Sequence, residues 1–260
     1  MQALQQELWS LAGPRVQIHV GDLAWWVHRP PAKRRLWLDG ERCVAWGWLQ
    51  PPATLDYAVH PDRRDIEEDV LAWFEGEAEG DLLSTYVLEG ERVDAYEAGE
   101  KAFTYYVREL DELQEPELPE GFALRTVEPE DFLERVAVHR AVWTPSRVTP
   151  EVYRRVTETW PYRADLDCVV EAPDGTFAAY VLCWYDDANG VGELEPVGTH
   201  PAFRRRGLGA AVCTYALRRL RDVGARSAVV YATDAPARAL YERVGFRQHT
   251  RAVELRKIRS

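Results

Sequence analysis

The stretch that decides the fold is Glu193-Leu-Glu-Pro-Val-Gly-Thr-His-Pro-Ala-Phe-Arg-Arg-Arg-Gly-Leu-Gly-Ala-Ala211. It predicts a strand that ends near Thr199, then an arginine- and glycine-rich turn, then a helix. Gly207 and Gly209 lack side chains, so the backbone there can pass close to a bulky group. The helix start adds unpaired N–H groups and the positive end of a dipole, which suit a pyrophosphate. From this segment alone, a charged helix start without any ligand remains an open alternative.

The rest of the second half alternates strand and helix patterns around this stretch. The predicted order is β-α-α-β-β-β-α-β-α-β. Strands are expected at 122–127, 168–171, 176–185, 192–199, 227–233 and 247–255, and helices at 128–142, after 149–150, at 208–223 and at 235–244. This alternation predicts an α/β domain with a mixed central sheet flanked by helices.

The first half repeats part of this order. Leu55-Asp-Tyr-Ala-Val-His-Pro61 resembles Leu194-Glu-Pro-Val-Gly-Thr-His-Pro201, and each is followed by arginines and a helix. An acidic, proline-punctuated stretch from Leu110 to Gly121 is typical of a linker. We therefore predict two copies of one fold, with domains at 1–112 and 121–260 joined by a linker at 113–120.

Composition limits the classes of partner. A net charge of −11 argues against nucleic acid as a partner and leaves room for a cationic substrate. The chain has no apolar stretch long enough to span a bilayer and no signal-peptide pattern, so a cytoplasmic protein with no membrane partner is expected. Four separate cysteines and six scattered histidines predict free thiols and no metal site. A monomer and a homodimer both remain open.

At the glycine turn the sequence resembles the acyl-CoA-binding motif of the GNAT superfamily of N-acetyltransferases, through Arg204-x-x-Gly207-x-Gly209 after a strand ending in His-Pro. A second match, Asp234-x-x-Ala-x-x-Leu-Tyr241-x-x-x-Gly245-Phe246, is similar to that family's short helix and final turn. The resemblance covers about Phe122 to Leu255, and the two-domain layout is similar to tandem GNAT proteins. It implies acetyl-CoA as the acyl donor and a small amine-bearing acceptor.

The resemblance also implies which residues bind the donor. In that family the turn amides bind the CoA pyrophosphate, and the preceding strand pairs with the pantetheine arm. The positions that match are Val197, Gly198, Thr199, Arg204, Arg205, Arg206, Gly207, Leu208, Gly209, Ala210 and Asp234. Asp234 departs from the Asn that is more common there, which weakens the expected hydrogen bond. In the first half, Glu67 and Asp69 stand where the turn glycines would be, so we expect that domain to be degenerate and not to bind CoA in this way.

Three residues are candidates for the chemistry. Glu193 and Glu195 are two apart on a predicted strand, so they face the same side, and partial burial would raise their pKa values enough for one of them to accept the amine proton. Both could instead line a solvated face or pair with arginines. Tyr241 matches the tyrosine that protonates the CoA thiolate in many GNAT members, although core packing would also explain it.

The resemblance to the GNAT superfamily also implies that the acceptor binds in the region before the strand that holds CoA. One or two of its aromatic residues should line the acceptor pocket and the others should lie in the core; they are Trp143, Tyr153, Trp160, Tyr162 and Trp184. The hypothesis is direct acetyl transfer to a primary amine in a ternary complex. The alternative from another class is a non-catalytic protein that binds or senses acyl-CoA.

Overall fold

The computed structural model describes residues 1–29 and 33–259. The helices are α1 (Gln2–Ala12), α2 (Val20–Trp25), α3 (Glu67–Glu77), α4 (Phe132–Val142), α5 (Pro150–Thr157), α6 (Leu208–Asp222) and α7 (Ala235–Arg243). The strands are β1 (Lys33–Asp39), β2 (Arg42–Gln50), β3 (Thr54–Val59), β4 (Leu82–Leu88), β5 (Glu97–Glu109), β6 (Ala123–Thr126), β7 (Asp167–Glu171), β8 (Phe177–Asp186), β9 (Val191–Thr199), β10 (Ser227–Ala232) and β11 (Arg247–Ile258). The predicted order of elements in the second half is confirmed.

The chain divides into two compact units that do not follow chain order. The first takes in the described residues of Met1–His19, Pro30–Tyr105 and His249–Ser260, and the second those of Val20–Arg29 and Tyr106–Gln248. The boundaries at 1–112, 113–120 and 121–260 therefore remain a prediction from sequence, and the compact units differ from them. The last strand, β11, is grouped with the first unit because it pairs antiparallel with β4, from Ala252 opposite Leu88 to Ile258 opposite Leu82.

The second unit has a mixed sheet flanked by helices. Strands β6 to β9 form an antiparallel meander, and β9 then runs parallel to β10. Its core combines small and branched side chains of β7, β8 and α6, among them the fully buried Val181 and Val212, with Tyr241 and Phe246 from the last part of the unit. Thr149 caps α5 by accepting a hydrogen bond from the Val152 N–H at 3.3 Å, as its sequence predicts.

The first unit repeats this arrangement. Its strands β1 to β3 form an antiparallel meander, and β3 runs parallel to β4 through Thr54–Ser84 and Leu55–Thr85. In both units a histidine follows the central strand and starts a short 3-10 turn. The Nδ1 atoms of His60 and His200 accept hydrogen bonds from the backbone N–H two residues later, each at 3.2 Å. The predicted fold class, α/β with two similar domains, is confirmed; the degeneracy of the first remains a prediction.

Two further predictions concern the whole chain. All four cysteines are free, and burial raises the pKa of the Cys213 thiol to about 12, which leaves it inert at neutral pH. In the part of the chain that the structure describes, no helix is both long enough and apolar enough to cross a membrane.

Candidate active site

The glycine turn takes a backbone conformation that requires glycine. Gly207 has a φ of 82°, in the left-handed region, and a Cβ built there would meet nothing within 4 Å. Gly209 lies close to the preceding strand, because a Cβ there would stand 3.1 Å from Thr199 Oγ1. The turn thus presents open space at Gly207 and close backbone packing at Gly209.

The start of α6 is available to an anion. Gly207 is its N-cap residue, and no side chain of the described residues makes a capping hydrogen bond there. The three turn arginines, Arg204 to Arg206, are exposed, and Arg204 Nε donates to the Thr199 carbonyl at 3.4 Å. The N–H groups of the first turn and these cations fit the pyrophosphate of acetyl-CoA.

The sheet opens beside this turn. Among the described residues, β9 and β10 pair only from Val191–Ser227 to Glu193–Val229, although both strands continue further. On its other side β9 stays paired with β8 as far as Thr199, opposite Ala179. The backbone of β9 beyond Glu193 therefore has one edge that is not paired with β10, and an extended ligand arm could hydrogen-bond to it.

The two predicted glutamates lie side by side at this opening. Burial and the charge of Glu195 raise the pKa of Glu193 to about 8. Burial and the charge of Asp22 raise the pKa of Glu195 to about 8 as well, against a smaller opposing effect of Arg29. Tyr231 hydrogen-bonds to the Glu195 side chain, and Trp184 Nε1 donates to its carbonyl at 2.6 Å. Carboxyls with such values can accept a proton near neutral pH.

Helix α2 contributes residues to this site that sequence reasoning missed. The Glu193 carboxyl is hydrogen-bonded to both the side chain and the backbone N–H of Asp22. Gly21 lies against the same place, since a Cβ there would stand 2.3 Å from Trp184 Cγ and 2.6 Å from Glu193 Oε2. A glycine within a helix was the available signal, because such a glycine often marks close packing.

Tyr241 and Asp234 lie on α7. Tyr241 is 6% exposed, and burial raises the pKa of its hydroxyl well above the usual range, with smaller contributions from Cys213 and Glu195. The hydroxyl therefore holds its proton at neutral pH, and it is near enough to Glu195 to sense that charge. Asp234 caps α7 by accepting a hydrogen bond from the Ala237 N–H at 2.8 Å.

The aromatic residues predicted near the acceptor divide into two sets. Tyr153 and Trp184 are fully buried, whereas Trp143 and Trp160 are about half exposed, at 50% and 47%. Trp143 Nε1 donates to the Tyr180 hydroxyl at 2.8 Å, so one exposed ring is held in place. Tyr162 is partly buried, and its ring centroid lies 6.4 Å from that of Trp184.

A buried ion pair supports the helices on this side of the unit. Arg135 on α4 and Asp167 on β7 are both fully buried, and Arg135 Nε donates to Asp167 Oδ1 at 2.8 Å. Tyr153 on α5 also donates to Asp167, and the Arg135 guanidinium lies 4.0 Å from the Tyr180 ring centroid. The pair ties α4 and α5 to the sheet. The described residues hold no group of three or more His, Cys, Asp and Glu arranged to bind a metal ion.

Comparison with known proteins identifies relatives of the chain. Residues 133–246 match the Acetyltransferase (GNAT) family. The chain is 34% identical to a mycothiol acetyltransferase of Actinosynnema mirum over 151 residues, 54% of this chain and 49% of that protein. It is 29% identical to a mycothiol acetyltransferase of Rhodococcus erythropolis over 251 residues, 84% of this chain and 82% of that protein. The match thus spans about half the length of the first relative and most of the second.

A solved structure shows the same fold. A tandem GNAT protein from the clavulanic acid biosynthesis pathway aligns over 98% of this chain and 94% of its own, with a TM-score of 0.67 at 17% identity. The matched residues 133–246 include the glycine turn, both glutamates and Tyr241. The part of the chain that matches the GNAT family of acetyltransferases therefore contains the candidate site.

Proposed function

We propose that this chain is an N-acetyltransferase that moves an acetyl group from acetyl-CoA to a primary amine of a small acceptor, by direct attack in a ternary complex. The observation that carries the proposal is the combination of an uncapped helix start at left-handed Gly207 with an open edge of β9 next to two carboxyls of raised pKa. The match of residues 133–246 to the GNAT family and the similarity to mycothiol acetyltransferases support it.

The donor would be held along β9 and the turn. Backbone groups of Val197, Gly198 and Thr199 would hydrogen-bond to the pantetheine arm, and the amides of the turn and of the first turn of α6 would bind the pyrophosphate. The full set proposed for the donor is Val197, Gly198, Thr199, Arg204, Arg205, Arg206, Gly207, Leu208, Gly209, Ala210 and Asp234. Because Asp234 already caps α7, its part in binding would be minor.

Proton transfer would use groups on both sides of the opening. A carboxylate, Glu193 or Glu195, takes the proton that the attacking amine must lose, and Tyr241 gives its proton to the departing thiolate. The raised pKa of Tyr241 supports the second role, since the hydroxyl stays protonated at neutral pH. An N–H of β9 would polarise the acetyl carbonyl.

The first unit would not bind a second CoA in the same way. At the start of α3, the position equivalent to the glycine turn carries Glu67, and the Tyr57 hydroxyl donates to its carboxylate at 2.9 Å. Acidic residues Glu67, Glu68 and Asp69 fill the first turn of α3. These carboxylates would repel a pyrophosphate, which supports a degenerate first domain.

The test is a panel of primary amines, with acetyl-CoA as donor and release of CoA as readout. The acceptor of the mycothiol acetyltransferases belongs in this panel because the relatives carry that name. We expect turnover with at least one amine and a loss of about 10²-fold or more in Tyr241→Phe. Tyr86→Phe, in the first unit, is the matched control and should keep full turnover.

Two outcomes would separate the proposal from its alternative. If CoA raises the thermal midpoint of the protein but no amine is acetylated, the chain is an acyl-CoA-binding or sensing protein. If CoA neither stabilises the protein nor is released, the turn has no such ligand, and the whole proposal fails.

A further inference from the structure

We infer that Asp22, on helix α2, is a positioning residue that shares a proton with Glu193, and that Glu195 is the group that takes the proton of the attacking amine. The inference rests on the proposed function, because it assigns roles within the same site. Sequence reasoning left the choice between the two glutamates open, and Asp22 was outside every matched motif.

Contacts with α2 fix the Glu193 side chain. Its carboxyl is hydrogen-bonded to the backbone N–H of Asp22 and to the Asp22 side chain. The approach is tight, because Gly21 leaves no room for a methyl group between α2, Glu193 and Trp184. Two hydrogen bonds and this packing hold Glu193 in one place, which suits a supporting group better than a group that must meet a substrate.

The contact between the two side chains requires a proton. Ionised carboxylates only accept hydrogen bonds, so a carboxyl–carboxyl hydrogen bond exists only while one of the two is protonated. Asp22 and Glu193 are 4% and 3% exposed, so two adjacent charges there would be poorly solvated. The pair therefore carries one proton and one negative charge, and the hydrogen bond that depends on this proton holds the Glu193 carboxyl against Asp22.

Glu195 has the surroundings expected of a base. It lies beyond the last pair of β9 and β10, where the sheet opens, and it is only partly buried. Tyr231 hydrogen-bonds to it and the charge of Arg29 favours its ionised form. Its charge also reaches Tyr241, the proposed acid, so acid and base lie within electrostatic range of each other.

The proposed acetyl transfer conserves atoms, electrons and protons. The amine nitrogen forms a C–N bond with the acetyl carbon, the C–S bond breaks, and the electron pair leaves with sulfur. One proton passes from nitrogen to the Glu195 carboxylate, and Tyr241 gives one proton to the thiolate. Proton exchange with solvent then restores both groups, while the proton of the Asp22–Glu193 pair stays in place.

The charged and titratable groups around the two glutamates come from several elements. Asp22 on α2, Cys183 on β8 and Glu195 interact with Glu193. Arg29, which follows α2, and Tyr231 on β10 interact with Glu195. Burial raises the pKa of the Cys183 thiol well above its usual range, so this thiol is neutral near pH 7. The pH dependence of this site near neutrality therefore belongs to Glu193 and Glu195, whose pKa values are both raised to about 8.

The experiment has a readout that does not depend on acetyl transfer. Infrared spectra of the full chain at neutral pH report buried protonated carboxyls. We expect Asp22→Asn and Glu193→Gln each to shift one component of that band without removing it, because one buried carboxyl remains to hold the proton, and we expect the double variant to remove it. Glu195→Gln should leave this component in place. If either single variant removes the component outright or leaves it unshifted, the two residues do not share a proton and the inference is wrong.

Turnover with an amine found in the panel tests the second part of the inference, that Glu195 takes the proton of the attacking amine. Glu195→Gln should lower kcat by about 10² to 10⁴-fold, whereas Glu193→Gln and Asp22→Asn should each lower it by less than about 10-fold. The reverse order would overturn the assignment of Glu195. If the wild type acetylates no amine, the proposed function fails, yet the infrared result still decides the pairing. Should Asp22→Asn fail to fold, Glu193→Gln and Glu195→Gln give the same infrared comparison.

Discussion

Replacing Gly21 with Ala should push α2 away from Trp184 and Glu193. The added Cβ would stand 2.3 Å from Trp184 Cγ, 2.4 Å from Trp184 Cβ and 2.6 Å from Glu193 Oε2, so the helix must move by about 1 Å. Trp184 is fully buried and cannot turn away. Overpacking of this kind lowers the free energy of unfolding by about 1–3 kcal/mol, while Ala in place of Gly in a helix raises it by about 1 kcal/mol.

Gly76→Ala is the matched control for this prediction. Gly76 lies inside α3, and a Cβ there would meet nothing within 4 Å. Gly76→Ala therefore has only the stabilisation that Ala brings in place of Gly in a helix, without overpacking. Urea titrations of the three proteins, followed by tryptophan fluorescence at one pH, give the free energies of unfolding. We expect Gly21→Ala to be less stable than Gly76→Ala by about 1–3 kcal/mol. Equal stabilisation of both variants would refute the close contact between α2 and the strands.

Two more predictions concern buried charge. Asp167→Asn should lower the free energy of unfolding by about 3–5 kcal/mol, because it leaves Arg135 buried without a counter-charge. Asp165→Asn, which breaks the half-exposed pair with Arg163, should cost less than about 1 kcal/mol, and similar losses in both urea titrations would contradict the account. The folded-state pKa values of Glu193 and Glu195 are raised from 4.5 to about 8, so their contribution to stability is present below about pH 4.5 and is lost as pH rises to about 8. The free energy of unfolding should fall as pH rises across that range in the wild type, and it should fall less in Glu193→Gln. The same dependence of this free energy on pH in both proteins would argue against the raised pKa values.

Sequence reasoning predicted the local elements of the second half because their signals are local. Thr149 before Pro150, and glycines at the ends of α6 and α7, indicated where the helices begin and end. The glycine turn was predicted from Gly207 and Gly209 as a place where the backbone can pass close to a bulky group; the left-handed conformation of Gly207 was not predicted. Such signals depend on a few neighbouring residues and need no knowledge of the rest of the fold.

Contacts between distant segments could not be predicted in this way. Asp22 meets Glu193 although most of the chain separates them, and no pattern in a single sequence marks that pairing. Arg135 and Asp167 each look like ordinary surface charges on their own elements, yet they form a fully buried pair. β11 was predicted as a strand, but its pairing with β4 depends on the tertiary fold.

The most direct measurement of the central claim is calorimetric titration of the full chain with CoA. We expect one CoA per chain, bound at the glycine turn. Affinity should be at least about 10-fold weaker in Gly207→Ala, because an L side chain is strained at that φ and the turn must change. Gly90→Ala is the control: its φ is 97° and a Cβ there would also meet nothing within 4 Å, but it lies in the first unit, outside the proposed donor site, and should leave affinity unchanged. Two CoA molecules per chain, or equal affinity in the wild type and in Gly207→Ala, would contradict the account.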